Sequence, residues 1–217
     1  GAAQAFGTNR GEVIHTVVSE GTEHLVLVTA NGVAKRLTLD EVRSTRNGKP
    51  LLKLRAGDRV VAAFTAPDGV DLVITASDGQ VLRTAIDSIS IQGRGAAGVA
   101  GMKLKGGAAI VGAAGILGDD ALITVTDTGG VKATPSAELE SRGRGGIGVR
   151  VSKLADGSSI SAAHVGPSIG LLAIMGTDED PRKPDPVPVP LMLEPTRRDL
   201  VSGTSERQIL AIGPARW

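Results

Sequence analysis

The chain repeats itself. His24 to Arg36 (HLVLVTANGVAKR), Asp71 to Arg83 (DLVITASDGQVLR) and Ala121 to Ala133 (ALITVTDTGGVKA) each read as an apolar run, a glycine turn and a second run. A second register, GEVIHTV from Gly11, GDRVVAA from Gly57, GAAIVGA from Gly107 and GSSISAA from Gly157, recurs at spacings of 46, 50 and 50 residues. GLLAIMG from Gly170 is a weaker copy of the first run, and RQILAIG from Arg207 closes it. One supersecondary unit is therefore used about four and a half times, which restricts the fold to a ring or array of like modules.

Those modules read as β-structure. Leu25 to Val28 is apolar on both alternating faces, as in a strand covered on two sides. Asn31-Gly32, Asp78-Gly79 and Gly129-Gly130 supply the positive-φ residues of two-residue hairpins. Strand runs at even spacing, with no amphipathic helix of useful length, predict an all-β propeller or related closed ring. Leu39 to Val42 and Ser136 to Leu139 suit short turns or helical corners. The expected division is one domain, 1–217, with a half-blade at 1–23 and repeats at 24–70, 71–119, 120–168 and 169–217. Within the last repeat, 178–195 holds six prolines; proline cannot donate a ladder hydrogen bond, so an exposed loop is expected there.

At 217 residues the chain can bury a sizeable core, and with two phenylalanines, one tryptophan and no tyrosine the packing falls to aliphatics and small residues. Thirty glycines without a three-residue period exclude collagen. The absence of cysteine excludes disulfides and thiolate metal sites and agrees with a reducing compartment. No apolar stretch reaches a membrane-spanning length and no secretory pattern opens the chain, so no membrane partner and a cytoplasmic location are expected. Gly1 in place of an initiator Met and the start in mid-repeat point to a piece of a longer protein.

A net charge of +1 hides a strong pattern. Arg43, Arg46, Lys49, Lys53 and Arg55 fall in a stretch without acids, as do Arg94, Lys103 and Lys105, and then Arg142, Arg144, Arg150 and Lys153. The cationic stretch follows the second apolar run in each repeat, while acids gather in Asp68 to Asp71, Asp119 to Asp127 and Asp178 to Asp185. A single basic loop is ordinary solvated surface; three in phase are the footprint of a polyanion.

Repeats of strand, turn and strand with a following basic loop, here STRNGKP, IQGRGAAGV and SRGRGGIGV, resemble the C-terminal domain of the A subunit of bacterial type IIA topoisomerases, gyrase and topoisomerase IV. The resemblance spans essentially the whole chain. It implies a β-pinwheel of about four to five blades that exchange strands with their neighbours, with duplex DNA bent around a basic rim. The gyrase box QRRGGKG, which the family needs for supercoiling wraps, is degenerate: Arg144, Gly145, Gly146 and Gly148 coincide, Arg142 and Gly143 stand where Gln and Arg would, and Ile147 replaces Lys. In the first repeat only Arg46, Gly48 and Lys49 coincide. This favours a topoisomerase IV-like subunit or a divergent gyrase. The resemblance also implies partners for the parent protein, namely an N-terminal breakage-reunion domain on the same chain and an ATPase B subunit, together with a nucleoid-associated location. ATP and Mg would act through those other parts, with no cofactor in this domain.

The residues themselves narrow the chemistry. A glycine backbone can bring N–H groups close to a phosphate, and Arg adds a planar charged fork. The shortage of aromatic rings argues against single-stranded nucleic acid, RNA and sugars. His15, His24 and His164 stand without partners at recognisable spacing and read as structural; Asp119-Asp120 and Asp178 to Asp180 lack the repeated oxygen spacing of a metal loop. Type IIA enzymes cleave DNA through a tyrosine, which this chain lacks. A propeller serving as a protein-interaction platform is the rival reading, and an enzyme or lectin propeller ranks third.

Overall fold

The computed structural model describes residues 3–7, 13–18, 24–43, 50–175, 188–198, 200–201, 203–204 and 209–214. It is all-β and propeller-like. An antiparallel pair, β1 (Ala3–Gly7) and β2 (Val13–Val18), precedes the first full blade. That blade is built on the hairpin β3 (His24–Thr29) and β4 (Val33–Thr38), followed by a helical corner, α1 (Leu39–Arg43), and β5 (Val60–Ala66). The next unit supplies β6 (Asp71–Ala76), β7 (Gln80–Ala85), β8 (Val99–Ala100) and β9 (Ile110–Ile116). The third supplies β10 (Ala121–Thr126), β11 (Gly130–Pro135), β12 (Val149–Arg150) and β13 (Ile160–Gly166). The last supplies β14 (Leu171–Met175), β15 (Pro188–Leu191), β16 (Gly203–Thr204) and β17 (Ile209–Pro214).

Each four-stranded blade is shared between two repeats. The sheets run β5-β3-β4-β8, β9-β6-β7-β12 and β13-β10-β11-β16, so the short outer strand of each belongs to the following repeat. This is the expected strand exchange. The strands β2, β5, β9, β13 and β17 pack against one another in order and therefore line the axis. They carry small residues, as in IVGAAGI and ISAAHVG, and a Cβ on Gly112 would come within 3.2 Å of Ala163. Crowding at the axis favours small residues on these strands, and Phe64 of β5 packs instead against the core cluster between the first two blades.

The cores lie between blades. On β3, Val26 and Val28 face Leu72 and Ile74 of the next sheet, while Leu25 and Leu27 join Leu37, Val42 and Leu52 on the opposite face. Leu122 of β10 packs against Val73, and Ile123 against Leu171. Burial on both faces, read from the apolar run at Leu25, is what the blade stacking imposes.

The hairpin turns differ from expectation. Thr29 C=O accepts from Gly32 N–H at 3.0 Å, so the central residues are Ala30 and Asn31, and Gly32 follows at φ 81°. Ala76 with Gly79 and Thr126 with Gly129 repeat the arrangement. These are three-residue loops with one left-handed glycine, one residue longer than the two-residue turn that Asn-Gly suggests. The 178–195 stretch also departs from a plain loop: Pro188–Leu191 is a strand paired with β14. Prolines two residues apart lack donors on the same side, and β15 is an edge strand whose outer side has no ladder to serve among the described residues.

Candidate nucleic-acid interface

Strand direction sorts the loops onto opposite ends of the blades. β3 rises to a hairpin tip, β4 descends to α1, and antiparallel β5 starts beside Thr29 and ends beside His24. The loops entering the axial strands, 51–59, 101–109 and 151–159, therefore lie at the hairpin end. Ala30 N–H donates to Arg59 C=O, Gly101 and Met102 N–H donate to Gly32 C=O, and Val151 N–H donates to Gly79 C=O. Lys103 thus stands between the tips of two blades, because the same loop also receives Ser77 N–H at Ala109 C=O. The segments 91–100 and 141–150 climb the outer edge of the preceding blade, pairing in parallel at Arg36↔Ile91 and Arg83↔Ser141 before forming β8 and β12.

The sequence-predicted cations fall into three groups. Lys53, Arg55, Lys103, Lys105 and Lys153 are exposed at the hairpin end, and Arg150 is exposed on β12. Lys53, Lys103 and Lys153 are spaced at fifty residues, each followed by a leucine and, three residues later, a glycine, so they occupy one phase of the blade. Arg43 is half-exposed 4.0 Å from Asp40, and Arg142 is exposed with Glu140 2.9 Å away. Arg94 and Arg144 reach back to the preceding blade: Arg94 Nε lies 3.5 Å from a Glu41 carboxylate oxygen, while Arg144 donates to Ser88 C=O at 2.8 Å and Ala100 C=O at 3.3 Å. Arg46 and Lys49 lie outside the described residues.

The box glycines serve a use that sequence reasoning assigned to phosphate. Gly145 N–H donates to Gly101 C=O, and Lys103 N–H donates to Gly146 C=O. A Cβ on Gly148, at φ 84°, would run into Val81 C=O. These glycines let one rim segment lie against the previous one by main chain. Arg59 and Arg198 are exposed cations in the same setting that sequence reasoning missed. Arg59 was hidden by its neighbour Asp58, and Arg198, in phase with Arg94 and Arg144 on its rim segment, by the long insert before it.

Three of the acids near the hairpin end accept hydrogen bonds in turns, and Asp156, in the loop of Lys153, is exposed there as well. Asp58 accepts from Asn31 N–H, Asp78 from Gln80 N–H, and Asp127 from the Ser158 and Ser159 hydroxyls and Ser159 N–H. The serine hydrogen bonds hold the Asp127 carboxyl below the usual range. At the opposite end Asp68 and Asp87 both pair with buried Arg36, and Asp71 pairs with Arg83. The Arg36 hydrogen bond keeps Asp87 below its ordinary value. Asp119 and Asp120, after axial β9, and Glu138 and Glu140, on and just after the 3-10 corner Ser136–Glu138, also sit at that end. The blades therefore carry an excess of exposed cations along the hairpin end and the outer edge, and an excess of acids at the other end.

His24 Nδ1 lies 3.3 Å from Asp68, and burial holds the His164 imidazole below its ordinary range, with Asp120 opposing the shift. Among the described residues no group of three or more His, Cys, Asp or Glu is arranged to hold a metal. No described helix is long and apolar enough to cross a membrane.

A family model described as DNA gyrase C-terminal domain, beta-propeller, matches residues 23–67, 71–115 and 120–166. The DNA gyrase A subunit of Mycoplasma genitalium is 34% identical over 102 residues, covering 45% of this chain and 12% of that protein. The corresponding protein of Pseudomonas aeruginosa is 33% identical over 95 residues, covering 43% and 10%. The matched stretch is thus about a tenth of those relatives' length. A crystal structure of the C-terminal domain of DNA topoisomerase IV superposes with a TM-score of 0.80 at 23% identity, covering 96% of this chain and 68% of that one. The E. coli ParC C-terminal domain gives 0.70 at 16%, covering 93% and 84%. At these identities the superpositions establish the fold.

Proposed function

The chain belongs to the DNA gyrase C-terminal domain, beta-propeller family, and from that premise we propose that it binds duplex DNA and bends it along the hairpin end and outer edge of its blades. The parent protein on this reading is an ATP-dependent type IIA topoisomerase, and this domain directs strand passage without cutting DNA. The tyrosine, the breakage-reunion domain, the ATPase B subunit, ATP and Mg would all lie elsewhere in that assembly.

The observation that carries the reading is the separation of charge. Exposed Lys53, Lys103 and Lys153 lie in one phase, Arg142 and Arg150 continue them down the outer edge, and with Arg55, Arg59 and Lys105 they outnumber the nearby acids Asp58, Asp78, Asp127 and Asp156. Contacts of this kind go to phosphate, so affinity falls with salt by a slope of about −0.9 for each phosphate neutralised, with little sequence preference. Bending by 40 to 90° costs roughly 1–6 kcal/mol, which several loops in phase can offset and one cannot. The degenerate box, with Ile147 where the gyrase motif has Lys, favours a topoisomerase IV-like or divergent gyrase subunit.

The test is a titration of fluorescent duplex, with a single strand as control, across a salt series. A slope near −7, from roughly seven or eight phosphate contacts, with preference for the duplex is expected. Failure to bind duplex at low salt would remove the reading and leave a protein-interaction platform.

A further inference from the structure

Lys35 is fully buried in the middle of β4. Its Nζ donates to three carbonyls, Leu51 at 2.8 Å, Arg94 at 2.9 Å and Ala96 at 2.9 Å. An ammonium has three donors and all are used, so the site needs the charged form. Burial lowers the lysine's proton affinity, Glu41 works against that shift, and the carbonyls supply the compensation that an enclosed charge requires. Two of the acceptors belong to the rim segment of the next repeat, and the third belongs to Lys35's own hairpin-end loop.

The arrangement recurs. Lys132 on β11, buried and at the same turn-relative position, donates to Val151 C=O at 2.7 Å and Leu200 C=O at 3.0 Å. Val151 stands one hundred residues after Leu51, and Leu200 occupies the place of Ala96 on its own rim segment. In the middle blade the position is Leu82, and there the equivalent carbonyls are taken by main chain, Gly101 C=O by Gly145 N–H at 2.6 Å and Gly146 C=O by Lys103 N–H at 2.9 Å. A rim segment is thus fastened either by a lysine ammonium or, where leucine stands, by direct glycine contact.

We infer that Lys35 is a positioning residue for DNA bending: it never meets DNA, and it fixes the rim segment 91–100 to the hairpin-end loop so that the cations of both present one continuous surface. Lys132 does the same for 196–204, and the glycines of RGRGGIG replace the missing lysine in between. The bending part rests on the function proposed above; the fastening part does not.

Lys35→Met in the 217-residue chain tests both. Hydrogen exchange of the amides in 91–102, which include the bonded Gln92, Ala96, Gly101 and Met102 N–H groups, is expected to quicken about tenfold while β10 stays within about twofold. On a long duplex carrying a dye at each end, bending is expected to weaken, while affinity for a duplex of roughly 12 base pairs, far below the persistence length, holds within about twofold. Leu171→Ala, which opens a cavity between the last two blades, away from the 51–59 loop, serves as the control for general loosening and should leave bending unchanged. Unchanged exchange at 91–102 overturns the fastening role. Faster exchange with unaltered bending overturns the positioning role. If the unsubstituted chain binds no duplex, the DNA reading fails while the exchange result still decides the fastening. Should Lys35→Met fail to fold, Lys132→Met is read in the same way on 196–204.

Discussion

Arg142 and Arg144 stand two residues apart in one glycine-rich string and have different work. Arg144 bridges to Ser88 and Ala100 of the preceding blade, whereas Arg142, among the described residues, has an exposed carboxylate beside it. Arg144→Ala is therefore expected to destabilise the fold by about 1–2 kcal/mol, because carbonyls lose charged donors. Arg142→Ala should leave thermal unfolding unchanged and reduce the magnitude of the salt slope of duplex binding by about 0.9. Unfolding scans and salt titrations on the two variants separate the roles. Acid pH acts at this scale as well. Burial depresses the His164 pKa, so the unfolded chain takes up the proton first and stability declines as pH drops below the ordinary value of 6.5. Asp87 and Asp127, held below 3.8, add stability that is fully present above that value and is lost as pH falls through their folded pKa values. Melting temperature against pH should show both declines, and His164→Gln should remove the upper one.

At the scale of elements, the strands were legible in the sequence because their apolar runs are buried on both faces, as at Leu25 to Val28 and Leu122 to Val125. The outer strands were not: Val99–Ala100 and Val149–Arg150 are two residues long and are strands only because another blade offers an edge. Turn length is ambiguous in the sequence for a related reason, since Asn31-Gly32 fits two turn types and the hydrogen bond from Gly32 to Thr29 decides between them. The basic loops were found by their phase. Which of their cations are free could not be, because the partners of Arg94 and Arg144 lie about fifty residues away in sequence, on the neighbouring blade. The glycine string suggests phosphate contact, although Gly148 is required where β12 passes Val81. Gly148→Ala is expected to cost about 1–3 kcal/mol through that collision and a strained φ, measurable by denaturant unfolding, with the unfolding slope unchanged.

Over the whole molecule, direction of charge matters more than its sum. A net charge of +1 conceals an end bearing Lys53, Lys103 and Lys153 and an opposite end bearing Asp119, Glu138 and Glu140. Replacing the three lysines by glutamine should lower the magnitude of the duplex salt slope by about 2.7 if each meets one phosphate. Replacing the three acids by their amides should leave that slope unchanged. A similar loss from both sets, in parallel titrations, would remove the polarity on which the proposed DNA path depends. Because the outer strand of each four-stranded blade comes from the following repeat, none of the first three repeats contains a complete sheet of its own. The chain has a wavelength without boundaries. Excising fifty consecutive residues from the regular part, starting at any phase, rejoins equivalent positions and closes the remaining sheets again. Gain or loss of a blade over generations therefore requires only a cut of the right length, at no particular place.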